Sequence, residues 1–179
     1  EIAVIVPIPE AVLMDADYDI WSEVRPRIIE AIGATFDAAV IHDTNAPDSW
    51  PDGLVTGATA AGHAVTLGTN ADLYDDILSE NGTMGKVEAD GYNVTGHLAA
   101  LTFKARLRGL RDATGQPIFM RTPQDRARYE LDGAPIEFTD NAAMNPAEAL
   151  LISGDFSQLV YAIRQDVTYK LLTEAVIQD

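Results

Sequence analysis

From Trp21 onward the chain repeats apolar residues every three or four positions: Trp21, Val24, Ile28, Ile32, Phe36 and then Ala39/Val40. That spacing puts them on one face and predicts an amphipathic helix over Ser22–Ile41. About twenty helical residues span roughly 30 Å, the width of a small domain. A helix of that length serves as a spine, and Trp21, Ile28, Ile32 and Phe36 are its expected packing residues. Pro26 would cost a backbone bond in a helix interior but little in a first turn, so the helix is expected to start near Ser22. It runs into a turn-rich exit, His42 to Leu54 (HDTNAPDSWPDGL).

The rest of the pattern is shorter and mixed. The opening run Ile2–Pro9 is β-branched and apolar, but Pro7 and Pro9 remove ladder donors. It predicts an edge strand, or one that leaves its sheet there. Residues 56–65 (TGATAAGHAV) are small and weakly patterned, which marks a domain boundary. Thr69-Asn70-Ala71-Asp72 reads as a capping box before a helix using Leu73, Tyr74, Ile77 and Leu78, stopped by Asn81-Gly82. A turn of helix at Lys86–Ala89 and a strand at Tyr92–Thr95 follow. His97–Arg111 reads as a second helix that buries Leu98, Leu101, Ala105 and Leu110, ended by Gly115 and Pro117. Ile118–Met120 is expected as a strand and Arg121–Gly133 as a polar loop. Further strands are expected at Pro135–Thr139, Ala149–Ser153 and Leu159–Leu172, the last broken near Gln165-Asp166, with Gly154-Asp155 as turn chemistry. Helices and strands alternate without a βαβ beat, so the fold class is α+β.

Composition narrows the setting. The 179 residues suffice for one domain with a core, or a domain plus an extension, and 47% hydrophobic with 22% charged residues argues against disorder. With no cysteine there are no disulfides and no thiolate chemistry, which points to a reducing compartment. No run is apolar enough for a membrane span. Glu1 begins inside a strand-like run without an initiator Met, and the last residues stay patterned, so a piece of a longer protein is expected.

Net charge is −16, which sets aside a phosphate backbone as the main partner. The cations are nevertheless concentrated: Lys104, Arg106, Arg108, Arg111, Arg121, Arg126 and Arg128 share a stretch with only Asp112 and Asp125 as acids. It reads as a solvated helix face plus a basic loop, or as a contact for an acidic copy of the same chain.

Candidate chemistry is sparse. Asp15, Asp17 and Asp19 have the opening spacing of a calcium loop, but Ile20 and Pro26 stand where its glycine and bidentate glutamate belong. They read as an acidic approach to the helix. Gly57, Gly62 and Gly68 resemble a phosphate loop only superficially, since His63 and Ala64 follow Gly62 in place of lysine and serine or threonine. His42, His63 and His97 fall on three different elements with no two at ligand spacing. His42-Asp43 could orient an imidazole, but no nucleophile motif accompanies it. Asn81-Gly82-Thr83 and Asn93-Val94-Thr95 match a glycosylation pattern by chance. Trp21 and Trp50 bracket the helix as core or interface anchors. No catalytic, cofactor or metal site is expected, and a structural role follows.

Six stretches carry a family resemblance in order along nearly the whole chain: Ile5–Leu13 (IVPIPEAVL), Asp19–Arg27 (DIWSEVRPR), Phe36–Val40 (FDAAV), Gly53-Leu54, Lys104–Asp112 (KARLRGLRD) and Gly154–Asp166 (GDFSQLVYAIRQD). Together they resemble the tailed-bacteriophage major capsid proteins of the Hong Kong 97 fold. The resemblance implies a shell subunit that forms pentamers and hexamers, found in the virion and assembled in the bacterial host cytoplasm. Residues 1–57 would form a peripheral part with the spine helix, 58–151 an axial domain, and 152–179 strands returning toward the periphery. Against the family, an N-terminal arm, an extended loop and a final strand would be missing, so this piece alone is expected to be monomeric or weakly associated. Copies of the chain are the expected partners, with no specific nucleic acid and no membrane; Arg121, Arg126 and Arg128 are the expected inter-subunit contacts. The competing readings are a small enzyme using His42 or His97, and a bacterial nanocompartment shell of the same fold.

Overall fold

The computed structural model describes residues 4–9, 19–111, 114–116, 119, 129–141 and 143–162. Helix α1 spans Ile20–His42, two residues earlier than the pattern predicts. Asp19 caps it in extended conformation, its carboxylate accepting the Trp21 N–H at 3.0 Å. Pro26 therefore lies beyond the first turn, inside the helix, which corrects the expected start at Ser22. The Asp19 carboxylate satisfies an orphan donor at the helix start, and the Ser22 hydroxyl donates to the Asp19 carbonyl at 2.7 Å, which holds the first turn ahead of the proline. At the other end Asp43 adopts a left-handed conformation (φ 58°) and Thr44 N–H reaches back to the Ala38 carbonyl at 3.3 Å.

Four short helices follow. Leu54–Ala60 (α2) overlaps the start of the stretch 56–65 expected to be a flexible boundary, and it forms a helix there with Gly53 as its N-cap. Leu73–Leu78 (α3) is capped by Asp72, which accepts the Asp75 N–H at 2.9 Å. Thr83–Ala89 (α4) starts at Gly82. There is no room for larger residues at this join: a Cβ on Gly85 would lie 2.5 Å from the carbonyls of Ser79 and Glu80.

The predicted helix at His97–Arg111 is instead a strand, Gly96–Ala100 (β1), followed by a helix, Phe103–Gly109 (α5). Four of the five β1 residues are buried, so both faces are covered and the run shows no alternation that would separate it from a helix. Phe103 and Leu107 replace the expected buried stripe; Leu101 is exposed. The strand expected at Tyr92–Thr95 does not form; Thr95 N–H only reaches the Gly154 carbonyl, at 3.1 Å.

Tyr129–Leu131 (β2) and Ala134–Thr139 (β3) make an antiparallel hairpin across Asp132-Gly133. Both turn residues have positive φ (49° and 77°), the two-residue hairpin geometry that Asp-Gly favours. The expected polar loop thus ends in a strand, and its residues 121–128 lie outside the described ones. Leu151–Gly154 (β4) completes a sheet of order β2-β3-β1-β4, with β1 parallel to β3 and antiparallel to β4. Asp155 then caps a 3-10 turn, Phe156–Gln158.

Among the described residues, 4–9 and 159–162 join no strand, which corrects the strands expected there; Val4, Ile5, Val6, Leu159, Val160 and Tyr161 are exposed. Of Ile118–Met120 only Phe119 is described. The remainder of Leu159–Leu172, and Asp15 and Asp17, also lie outside.

The core sits on one face of the sheet. Ala99, Leu131 and Ile136 meet Phe103 and Leu107 of α5, Ile77 of α3, Met84 of α4, and Phe119. Non-directional apolar burial of this kind holds the unit together. Helix α1 contributes nothing to that cluster.

Candidate functional site

Among the described residues, helix α1 is tied to the sheet unit near its C-terminal end. Ala39 and Ile41 are buried, whereas Ile29 toward the other end is 55% exposed. Three polar ties fix the joint. The Asp43 carboxylate accepts the N–H of Gly53, which starts α2. That contact leaves no space at Gly53, where a Cβ would lie 2.9 Å from the Asp43 backbone nitrogen. Asn141 donates its side-chain amide to Asp37 at 2.8 Å. The third tie is His42, whose Nε2 accepts the Asn145 N–H at 2.9 Å. An Nε2 that accepts leaves the proton on Nδ1. Nδ1 lies 2.9 Å from a Glu148 carboxylate oxygen, close enough for electrostatic attraction but misaligned for a hydrogen bond. Ala34, Thr35, Ala38, Thr44, Asn45, Asn141 and Ala143 line a shallow groove beside these ties.

The other polar centres brace the sheet unit. Buried His97 links three strands: Nδ1 is 2.9 Å from the Ser153 hydroxyl and Nε2 is 3.3 Å from the Leu131 carbonyl. A carbonyl only accepts, so the ring donates from Nε2 and takes the Ser153 proton at Nδ1. Burial pushes the His97 pKa below 6.5, against the upward pull of the Leu131 hydrogen bond and the Asp132 charge. Asp76 is 4% exposed, and its carboxylate accepts the N–H groups of Gly68 at 2.6 Å and Asn70 at 2.8 Å. The Gly68 bond, then the Asn70 bond, hold its carboxyl below the usual range. His63 stands 3.4 Å from Asp90, and Lys86 donates to the Gly62 carbonyl at 3.0 Å. The Lys104 ammonium lies over the Tyr129 and Phe138 rings, 4.4 and 5.1 Å from their centroids.

The sequence-derived contact residues separate into two groups. Trp21 is 39% exposed, Ile28 and Ile32 are half-buried, and Phe36 is 37% exposed with its ring edge-on to Trp50 at 5.8 Å. Arg121, Arg126 and Arg128 lie outside the described residues. His42-Asp43 does not act as an oriented pair, because the Asp43 carboxylate is committed to Gly53 and the imidazole to Asn145 and Glu148. The three histidines are not gathered, and among the described residues no group of three potential ligands could hold a metal. No helix among them is long and apolar enough to cross a membrane. Sequence reasoning missed Asn141, Asn145 and Glu148 as partners of α1, since nothing local marks a contact about a hundred residues away. It also missed the Asp132-Gly133 hairpin, which the dipeptide does signal.

A long helix held at one end beside a mixed four-stranded sheet is the α+β architecture of Hong Kong 97-like capsid folds. The sequence pattern of the phage capsid family matches residues 1–179, and the chain belongs to that family. It is similar to a solved chain of Microbacterium phage Oxtober96 at 38% identity, with a TM-score of 0.73, covering 86% of this chain and 50% of that one. Chains of Mycobacterium phage Bobi (33% identity, TM-score 0.66, 84% of this chain and 48% of that) and Mycobacterium phage Adephagia (30%, 0.65, 84% and 47%) are similar too. The chain thus spans about half the length of the solved phage chains it matches. No curated protein matches it significantly.

Proposed function

We propose that the protein is a structural subunit of an icosahedral phage or prophage shell and carries out no catalysis. The match of the phage capsid family across residues 1–179 carries this reading. The similar solved chains come from phages, which favours a virion over a nanocompartment. The geometry supports it as well: polar ties position α1 against the sheet unit, and each histidine has a bracing role that needs no substrate.

In this reading residues 1–57 belong to the peripheral part, 58–151 to the axial domain, and 152–179 lead back toward the periphery. Copies of the chain are its partners, in pentamers and hexamers assembled in the host cytoplasm. Arg121, Arg126 and Arg128 pair with carboxylates of a neighbour, offsetting the mutual repulsion of chains that each carry −16. Neither nucleic-acid sequence nor membrane is recognised. The 179 residues alone are monomeric or weakly associated.

Electron microscopy of the protein expressed from its complete gene tests the reading. Closed shells are expected; discrete small oligomers under all assembly conditions overturn it.

A further inference from the structure

Four junctions in the chain place glycine directly after an aspartate or asparagine: Asp52-Gly53, Asn81-Gly82, Asp90-Gly91 and Asp132-Gly133. With no Cβ on the following residue, its backbone nitrogen can approach the side-chain carbonyl carbon and close a five-membered imide. The nitrogen must first be free to turn and to give up its proton. Three of the four are held. Gly53 N–H donates to the Asp43 carboxylate, Gly82 N–H to the Ser79 carbonyl at 2.8 Å, and Gly91 N–H to the Glu88 carbonyl at 2.9 Å. Gly53 and Gly82 are also buried, and a Cβ on Gly82 would lie 2.8 Å from the Asp75 carbonyl. The fourth junction differs on each count. Gly133 N–H has no acceptor among the described residues, and Asp132 and Gly133 are both exposed at the tip of the β2–β3 hairpin. The two-residue turn closes with the ladder pair Leu131 and Ala134 and asks nothing of that N–H.

We propose that Asp132 is a site of slow self-modification, converted to isoaspartate through an imide formed with Gly133. The Gly133 nitrogen gives up its proton and bonds to Asp132 Cγ, and the hydroxyl of the protonated carboxyl leaves with that proton as water. A water then opens the imide at one of its two carbonyl carbons. Addition at Cγ restores aspartate. Addition at the Asp132 backbone carbonyl carbon breaks its bond to the Gly133 nitrogen, so the main chain then runs through Cβ and Cγ. The water lost is regained, and no other reactant is needed. Isoaspartate lengthens the main chain by one carbon in a turn of only two residues. It does so beside Leu131, whose carbonyl accepts from His97 at 3.3 Å. Strand β2 should lose its register first, because it is an edge strand paired to β3 alone. The site is independent of the shell-subunit reading.

The test compares the native protein, expressed from its complete gene, with the same protein kept unfolded in guanidinium. After incubation in mildly acidic buffer each sample is digested, and isoaspartate is located by enzymatic methylation and peptide mass. All four junctions should react in the unfolded chain, Asn81 with release of ammonia in place of water. Folding should slow the three held junctions at least about fivefold, the rate equivalent of a backbone hydrogen bond that must break first, and should slow Asp132 least. Suppression at Asp132 as strong as at any of the other three overturns the proposal. Asp132→Asn keeps a dipeptide suited to the same turn and has ammonia as its leaving group, so isoaspartate should accumulate at position 132 several-fold faster. Hydrogen exchange at β2 should quicken in step while β1 stays protected. If wild-type conversion is too slow to measure, this variant decides: native Asp132→Asn that stays unmodified overturns the proposal.

Discussion

The sheet unit is held by apolar burial from several directions, whereas among the described residues α1 joins it through polar ties beside buried Ala39 and Ile41 near its C-terminal end. Phe103 and Leu107 are buried against Ile77, Met84, Ala99 and Ile136, contacts that add without needing direction. The α1 joint relies on Asp43 to Gly53, Asn141 to Asp37, and Asn145 to His42, each dependent on geometry and exchangeable with water. The first arrangement resists deformation, because close-packed side chains cannot slide without opening voids. The second fixes an orientation at modest energetic depth. In the shell-subunit reading proposed above, a subunit that fits more than one neighbour geometry gains from having both.

The comparison breaks most sharply at Leu107, which is fully buried. Leu107→Ala should lower unfolding stability by roughly 2–5 kcal/mol, through lost transfer energy and a cavity that cannot collapse. Chemical denaturation would measure it. A loss below about 1 kcal/mol would mean that α5 is not part of the cooperative core.

His97 gives a smaller, pH-dependent effect on the same unit. Its folded pKa lies below the unfolded value of 6.5, so the unfolded chain binds the extra proton first. The stability it contributes is present above pH 6.5 and lost as pH falls from there through the folded pKa. Melting curves between pH 7 and 5 should show that decline, and His97→Gln should flatten it. A decline of equal slope in the variant would place the sensitive group elsewhere.

The smallest effect belongs to the joint. Glu148→Gln should cost under about 1 kcal/mol, since the Glu148 carboxylate is 56% exposed and solvent screens its attraction to the buried His42 ring. Its signature is spatial: hydrogen exchange should quicken at Asn145 and the end of α1 while β1 and β3 stay protected. Equal loosening of the sheet would show that the two regions are one cooperative unit.

The two regions also differed in how much the sequence disclosed. Helix α1 was legible because 3.6-residue periodicity over five turns is a strong signal, and its Asp19 cap is local. The α3 and α4 helices and strand β3 were legible for similar reasons. Strand β1 was not, because Gly96–Ala100 is buried on both faces and so imitates one side of a helix. Its strand character comes from Ile136 and Leu151 neighbours supplied by distant chain. Polar ties such as His42 to Asn145 depend on the finished fold and leave no local mark. The Asp132-Gly133 turn did leave one, in the dipeptide most suited to it.

Among the described residues the polar ties of α1 cluster at its C-terminal end, which makes the helix a lever about that joint. With 23 residues it is about 34 Å long, so a rotation of only about 5° at the His42–Gly53 joint would sweep the Ile20 end through about 3 Å. An adjustment of a few tenths of an ångström among Asp43, Asn145 and Glu148 is enough for such a turn. In the proposed shell, curvature is then set at the short arm, with the sheet unit unchanged.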